Sequence, residues 1–252
     1  MSNQLETGSL SALRAQDPET AHILTLCIPG EYQRDDALVL LSLHGELARA
    51  HRVTSDISLG KIRIRWWLDA IDDIYRQEPP RQHPIVVALK EICQRHNLDR
   101  QLLEAKIESH SVDLEGLRQM SWSQASQVFT SQRGNLWRLL LQTQGIEQTA
   151  IHIAANHLGV AFGVWRAIPG LGTLDDIPWL QGAQIDDGDP DWVIQAITHL
   201  DEVDAIAEVP KWMRILSRYL RSGLMNVARN QLNKAYAQQQ AAAFGLWRRT
   251  LV

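Results

Sequence analysis

The sequence has few cysteines and lacks a long apolar run. Its two cysteines, Cys27 and Cys93, stand in apolar helical surroundings, which indicates reduced core residues in a cytosolic-type compartment and argues against a zinc site. A bilayer span needs roughly 20 consecutive apolar residues, and no segment approaches that length. Residues 1–16 contain no apolar segment followed by a cleavage site, so we expect no secretory signal and no transmembrane segment.

Long basic runs and alternating apolar residues are also missing. The formal net charge is -4 over 252 residues, so nucleic acid is not the expected partner. No segment shows a sustained two-residue alternation of apolar and polar residues, which excludes an extended sheet. With 45% hydrophobic and 21% charged residues, the chain is long enough to bury one large core or two small ones.

The pattern that is present has helical spacing. We expect residues 1–16 to be a flexible polar segment and residues 17–252 to form a single all-α domain of about nine or ten helices around a central cavity. Helix starts are predicted from capping residues and prolines at these positions: Asp17-Pro18, Asp35, Ser55 or Ser58, His83-Pro84, Asp99, Ser121, Thr149, Asp189-Pro190 and Pro210. A further helix is predicted over Gln231 to Arg249.

Two of these helices lie between Leu38 and Tyr75. Leu40, Leu43 and Leu47 step by three and four residues and form one apolar stripe. The second helix repeats this spacing with a stripe made of four residues: Ile64, Trp67, Ile71 and Ile74. We therefore expect the two helices to pack into the core.

Acidic residues on the second helix suggest a metal site. Asp69, Asp72 and Asp73 share one helical face, and three carboxylates could hold magnesium. The interpretation we favour is a solvated charged face opposite the apolar stripe. A second acidic group is formed by Asp186, Asp187, Asp189 and Asp191; it lacks the glycine and terminal glutamate of a calcium loop, and a helix cap is the favoured interpretation.

Three further patterns have both a structural and a functional interpretation. Gly159 and Gly163 lie four residues apart on one helix, which indicates either close helix packing or a floor left open for a ligand. The cations Lys61, Arg63 and Arg65 could hold an anionic head group, although surface cations are the simpler interpretation. His44 and His51 share a face only approximately and have no third ligand nearby, so no metal is expected there.

The order of segments resembles the squalene/phytoene synthase family. The segments that carry the resemblance are GELARAHRVTSDISLGKIRIRWWLDAID, HPIVVALKEICQRHNL, SQRGNLWRLL, and HLGVAFGVWRAIP followed by DIPWL. Glu46-Leu47-Ala48, Gly60 to Trp67 and His83-Pro84 are most similar to the divergent branch that includes the mitochondrial complex I assembly factor and its bacterial relatives. The resemblance runs from the second predicted helix to about Asn230 and implies an isoprenoid-synthase-like helical fold.

The resemblance also implies where catalytic acids would stand. Active members carry two aspartate-rich motifs that bind magnesium, which holds the diphosphate of the prenyl donors. The first motif falls on Leu43 to Val53, where Glu46 is the one carboxylate and His51 stands among the remaining residues. The second falls on Gly159 to Leu171, where Arg166 is retained and no acid is present.

Two functions therefore remain open. The first is a non-catalytic protein of this family that acts in binding or in respiratory complex I assembly, without a metal or other cofactor. The alternative is an active head-to-head prenyltransferase of the squalene or phytoene synthase type, which would need magnesium. The resemblance implies that seven residues line the pocket: Glu46, His51, Arg133, Asn135, Gly159, Gly163 and Arg166.

Partners and location follow from the same resemblance. We expect a membrane-associated protein complex or a prenyl lipid as partner, and a cytoplasmic protein that can lie at the periphery of the inner membrane.

Overall fold

The computed structural model describes residues 28, 30–49, 57–114, 121–167 and 190–249. All regular structure within these ranges is helical, which confirms the all-α prediction. The described part has nine α-helices and one π-helical turn, in this order: α1 Glu31–Arg49, α2 Ile57–Tyr75, α3 Pro84–His96, α4 Arg100–Leu114, α5 Trp122–Phe129, the π turn Thr130–Gly134, α6 Asn135–Thr143, α7 Thr149–Ala167, α8 Pro190–Asp204 and α9 Lys211–Arg249. Three sets of predictions lie outside the described residues. They concern residues 1–27, the end of the helix before Ser55, and the acidic residues 186–189.

Helices α1 and α2 bury the stripes that the sequence predicts. Leu40, Leu43 and Leu47 of α1 have no exposed surface, and the four stripe residues of α2 are also buried. Helix α1 begins at Glu31, one turn before the predicted start at Asp35. Helix α2 ends at Tyr75, before Pro79. Both helices therefore present their apolar faces to the core, as their spacing requires.

Helices α3 and α4 begin where the capping residues predict. His83 is the extended N-cap of α3, and Pro84 follows at the first helical position. Asn97 ends α3 in the left-handed conformation, with φ of 48°. The Asp99 carboxylate then accepts a hydrogen bond of 2.8 Å from the backbone N–H of Gln101 and caps α4. Local capping chemistry thus determines this helix–turn–helix.

Helix α5, the π turn and α6 form one continuous helical segment. Ser121 and Gln124 form a capping box at its start. The sequence does not predict the π turn that follows at Thr130–Gly134. A π turn adds one residue to a helical turn and changes the direction of the side chains after it. Gln132, Arg133 and Gly134 of this turn are buried.

Helix α7 is surrounded by α5, the π turn, α6, α8 and α9. Its residues from Leu158 to Ala167 are all buried, which is the pattern of a central helix that is covered on all sides. The buried apolar side chains of the described chain form one contiguous core cluster. Its largest members are Trp137, Trp165 and Trp212.

The predicted boundary between two C-terminal helices is wrong. Lys211–Arg249 is one helix of 39 residues, where the sequence predicted a helix after Pro210 and a separate one from Gln231. No proline interrupts this stretch, so nothing in its local chemistry ends the first helix.

Candidate functional site

A cluster of buried polar side chains lies where α1, α4 and the π turn meet. Lys106 of α4 has no exposed surface. Its Nζ lies 2.9 Å from Nδ1 of His44 on α1 and donates a hydrogen bond of 2.9 Å to the carbonyl oxygen of Gln132 in the π turn. One ammonium group therefore joins three separate elements in the interior. We call Lys106, Arg133 and Arg166, together with the histidines His44 and His110 beside them, the cationic cluster.

Hydrogen bonds to the backbone hold the surroundings of Lys106 in place. Nε2 of Gln132 donates to the carbonyl oxygen of Ser109 at 3.3 Å. The Ser109 hydroxyl donates to the carbonyl oxygen of Lys106 at 2.6 Å. These contacts connect the π turn to α4 twice, so the π turn and the buried lysine are positioned together.

The π turn and α7 contribute two buried guanidinium groups. Arg133 is 9% exposed and Arg166 is 6% exposed. The Arg133 guanidinium lies 4.4 Å from the ring centroid of Phe162, which is a cation–π contact. Asn135, the first residue of α6, is also buried. The structure therefore places these three predicted pocket residues in the interior.

His44 lies within the field of these cations. Its ring centroid is 5.4 Å from that of His110. Burial, and then the positive charges of Arg133 and Lys106, hold the pKa of His44 well below its usual value near 6.5. His44 is therefore a neutral imidazole at neutral pH, and its Nδ1 can accept a hydrogen bond from the Lys106 ammonium.

The other two polar residues predicted to line the pocket differ from this group. Glu46 is half-exposed near the end of α1 and forms an ion pair of 3.1 Å with Arg49. Its charge also raises the pKa of His83, which burial lowers more strongly. His51 lies outside the described residues. Glu46 thus interacts with Arg49 on its own helix and with His83 at the start of α3, and not with the cationic cluster.

Gly159 and Gly163 accommodate close helix packing and are not the floor of an open site. A Cβ atom on Gly159 would lie 2.3 Å from the backbone nitrogen of Gly134. A Cβ atom on Gly163 would lie 2.2 Å from the ring of Phe129. Both distances are far below van der Waals contact, so the space above each glycine is already filled by α5 and the π turn.

The acidic face of α2 is a set of ion pairs. Asp69 pairs with Arg65 at 2.8 Å, and Asp73 pairs with Arg81 at 2.8 Å. Asp72 lies between Arg76 and Arg100, at 3.1 Å and 3.0 Å. Each carboxylate thus lies against a guanidinium, which matches the interpretation of these residues as a charged helix face.

Buried acids are scarce in the described interior. Among the described residues, Asp36 is the buried carboxylate, and it binds Arg95 and His96 at 2.6 Å each. No group of three or more His, Cys, Asp or Glu side chains in the described ranges is arranged to hold a metal ion. The described ionisable side chains that are buried beside the π turn are therefore basic ones: Lys106, His110, Arg133 and Arg166.

Sequence reasoning missed Lys106 and His110, although a signal was present. Both lie on the apolar stripe of α4, beside the buried Leu103 and Ile107. A lysine on the apolar face of a helix predicts a buried cation, because the residues three and four positions away on that face are in the core.

Comparisons with known proteins agree with this architecture. The squalene synthase HpnC from Alicyclobacillus acidocaldarius superposes with a TM-score of 0.69 at 14% sequence identity, over 89% of this chain and 95% of the other. At this identity, the likeness concerns the fold alone.

Two relatives that are similar in sequence are mammalian proteins. NADH dehydrogenase (ubiquinone) complex I, assembly factor 6, is 29% identical over 155 residues in both Mus musculus and Bos taurus. The matched region is 62% of this chain and 46% of each relative, so the chain spans about half the length of the curated relatives it matches.

The family model for squalene/phytoene synthase matches residues 14–176. This range includes α1 to α7 and so every member of the cationic cluster. The match covers well over half of the chain, and the helical order agrees with it. The chain belongs to the squalene/phytoene synthase family.

Proposed function

We propose that this protein is a non-catalytic member of its family that acts in binding or assembly, in the manner of a respiratory complex I assembly factor. The proposal needs no metal and no other cofactor. Its expected partner is a membrane-associated protein complex, and a prenyl lipid is the alternative ligand. Its expected place is the cytoplasmic side of the inner membrane, at the periphery.

The observation that carries the proposal is the positive charge of the cationic cluster. Magnesium binds oxygen ligands, above all carboxylates. Ionisation of a prenyl diphosphate depends on cations that are held against the leaving group. Lys106, Arg133 and Arg166 are buried in the described interior beside His44, and ammonium and guanidinium groups have no acceptor lone pair to offer a metal ion.

The named relatives support the assembly part of the proposal. The mammalian proteins that match this chain are named as assembly factors of complex I. The family model covers α1 to α7 and so includes the cationic cluster.

A turnover assay tests the non-catalytic part. The full chain is incubated with farnesyl diphosphate or geranylgeranyl diphosphate, magnesium and NADPH, beside an active squalene synthase under the same conditions. We expect diphosphate release at the level of the blank. Release of diphosphate together with a coupled prenyl product would establish the prenyltransferase alternative.

A pull-down from membranes tests the assembly part. The tagged chain is captured from detergent-solubilised membranes of its own source, with an unrelated helical protein of similar charge as the control. We expect enrichment of respiratory complex I subunits or their assembly components. Enrichment of neither, beyond the control, would contradict the assembly role.

A further inference from the structure

The first half of α2 has a second apolar stripe on its outer side. Leu59, Ile62 and Trp66 are spaced by three and four residues, so they share a face directed away from the buried stripe of the same helix. We call this stripe, together with Lys61, Arg63 and Arg65, the α2 outer surface. The buried stripe explains why α2 packs against the core, but it does not explain why apolar residues also lie on the outer side of the helix.

The apolar members of the α2 outer surface reach into solvent. Leu59 is 51% exposed and Ile62 is 63% exposed. They are one turn apart, and no other two large exposed hydrophobic residues of the described chain lie so close on one helix. Trp66 is partly buried against Trp67 and His83. Isolated exposed hydrophobic residues are ordinary on protein surfaces, whereas adjacent ones form apolar patches of the kind that contact partner proteins or membranes.

Cations flank the stripe on both sides. At 100° per residue, Lys61 and Arg65 lie on one flank and Arg63 lies on the other. All three side chains are exposed. The described residues of α2 before Asp69 include no acid. The acids of the second half of α2 lie against Arg65, Arg76, Arg81 and Arg100, so their negative charge is compensated. The pair with Asp69 compensates the charge of Arg65 in the same way.

We propose that the α2 outer surface docks onto an anionic phospholipid bilayer. Aliphatic and tryptophan side chains between flanking lysine and arginine residues suit the boundary of acyl chains and negative head groups. Lysine and arginine beside leucine, isoleucine and tryptophan on one helix is the pattern of helices that lie in the membrane interface, so the occupant we propose is lipid. No described helix is long and apolar enough to cross a membrane, and the docking proposed here involves one helix face only. This surface is separate from the cationic cluster. The inference rests on the proposed peripheral location at the membrane and adds the surface responsible; the turnover assay and the pull-down measure other properties, so their failure is distinguishable from a failure of lipid binding.

Vesicle co-sedimentation tests the inference without any prenyl ligand. The full chain is mixed with vesicles of phosphatidylcholine alone, or with phosphatidylglycerol as about one third of the lipid. We expect binding to the anionic vesicles, at least tenfold weaker binding to the neutral ones, and a loss of binding at high salt. Two variants probe the surface: Leu59→Ser with Ile62→Ser, and Lys61→Gln with Arg63→Gln.

Each removed cation should weaken binding about fivefold, so the charge variant should bind roughly 25-fold less tightly. The aliphatic variant should also lose at least tenfold. The controls are Lys211→Gln with Arg218→Gln, two exposed cations of α9, and Ile194→Ser, an exposed aliphatic residue of α8. Both should bind as the wild type does, and circular dichroism should show all variants folded. Absence of binding to anionic vesicles, or equal binding by the surface and control variants, would overturn the inference.

Discussion

At the scale of single residues, buried charge is placed against specific partners. Lys106 contacts His44 and the Gln132 carbonyl, and Asp36 binds Arg95 and His96. A buried charge is costly unless such partners are present. Changes at these residues should therefore have measurable effects on stability and on its dependence on pH.

The first prediction concerns His44. Its pKa is lowered in the folded protein by burial and by neighbouring cations, and the unfolded value is about 6.5. Below that pH the unfolded chain binds a proton that the folded chain does not, so the free energy of unfolding falls as the pH falls. The slope from this one residue is at most about 1.4 kcal/mol per pH unit.

Urea unfolding between about pH 7.5 and pH 5.5 measures this slope. His83, His157 and His199 also have lowered pKa values, mainly because of burial, and they add to it. The variant His44→Asn removes one of these groups and should have a shallower slope than the wild type. Equal slopes for the two proteins would contradict the assignment of His44 as a partly buried imidazole that stays neutral in the folded protein.

The second prediction concerns Asp36, whose carboxylate connects α1 to α3. Asp36→Asn removes the charge and replaces one of the two acceptor oxygens by an NH2 group, so either His96 or Arg95 loses its acceptor. We expect a loss of about 2–3 kcal/mol in the free energy of unfolding, measured with urea. The control Asp201→Asn disrupts an exposed pair with Arg221 and should cost less than about 1 kcal/mol. Similar losses in the free energy of unfolding in both variants would show that burial does not make the Asp36 contacts more stabilising than an exposed ion pair.

At the scale of elements, the π turn is the feature that local sequence did not predict. Helix starts at Pro84, Arg100 and Trp122 follow from proline and capping side chains, which act over three or four residues. The π turn instead depends on a contact across the bundle, where Gly134 approaches Gly159 of α7. No periodic pattern or cap encodes such a contact, so its prediction requires the partner helix to be known.

The third prediction tests this contact. In Gly159→Ala, the new methyl group would lie 2.3 Å from the Gly134 nitrogen, so α7 and the π turn would have to separate. We expect a loss of about 2–3 kcal/mol in the free energy of unfolding. The control is Gly145→Asn, in a turn with φ of 68° and open space around it, where asparagine tolerates the left-handed conformation. Wild-type stability of Gly159→Ala would contradict the close approach.

At the scale of the whole molecule, the fold was easier to predict than the site. Apolar spacing and the family resemblance indicated an all-α fold, and the structure confirms it. The resemblance also selected Arg133, Asn135 and Arg166, which are all buried. It selected Glu46, which lies against Arg49 near the end of α1, and it missed Lys106. Family motifs indicate which positions bind ligands in relatives. They do not show that a position outside the motifs, such as Lys106, carries a buried cation in this sequence.

The cationic cluster gives the whole molecule one directly measurable property, its response to magnesium and diphosphate. Isothermal titration of the full chain with farnesyl diphosphate, with and without magnesium, measures it. We predict that magnesium does not strengthen binding, because the described interior supplies cations where a metal requires carboxylates. Micromolar binding of farnesyl diphosphate that depends on magnesium would contradict the non-catalytic function and would support the active prenyltransferase alternative.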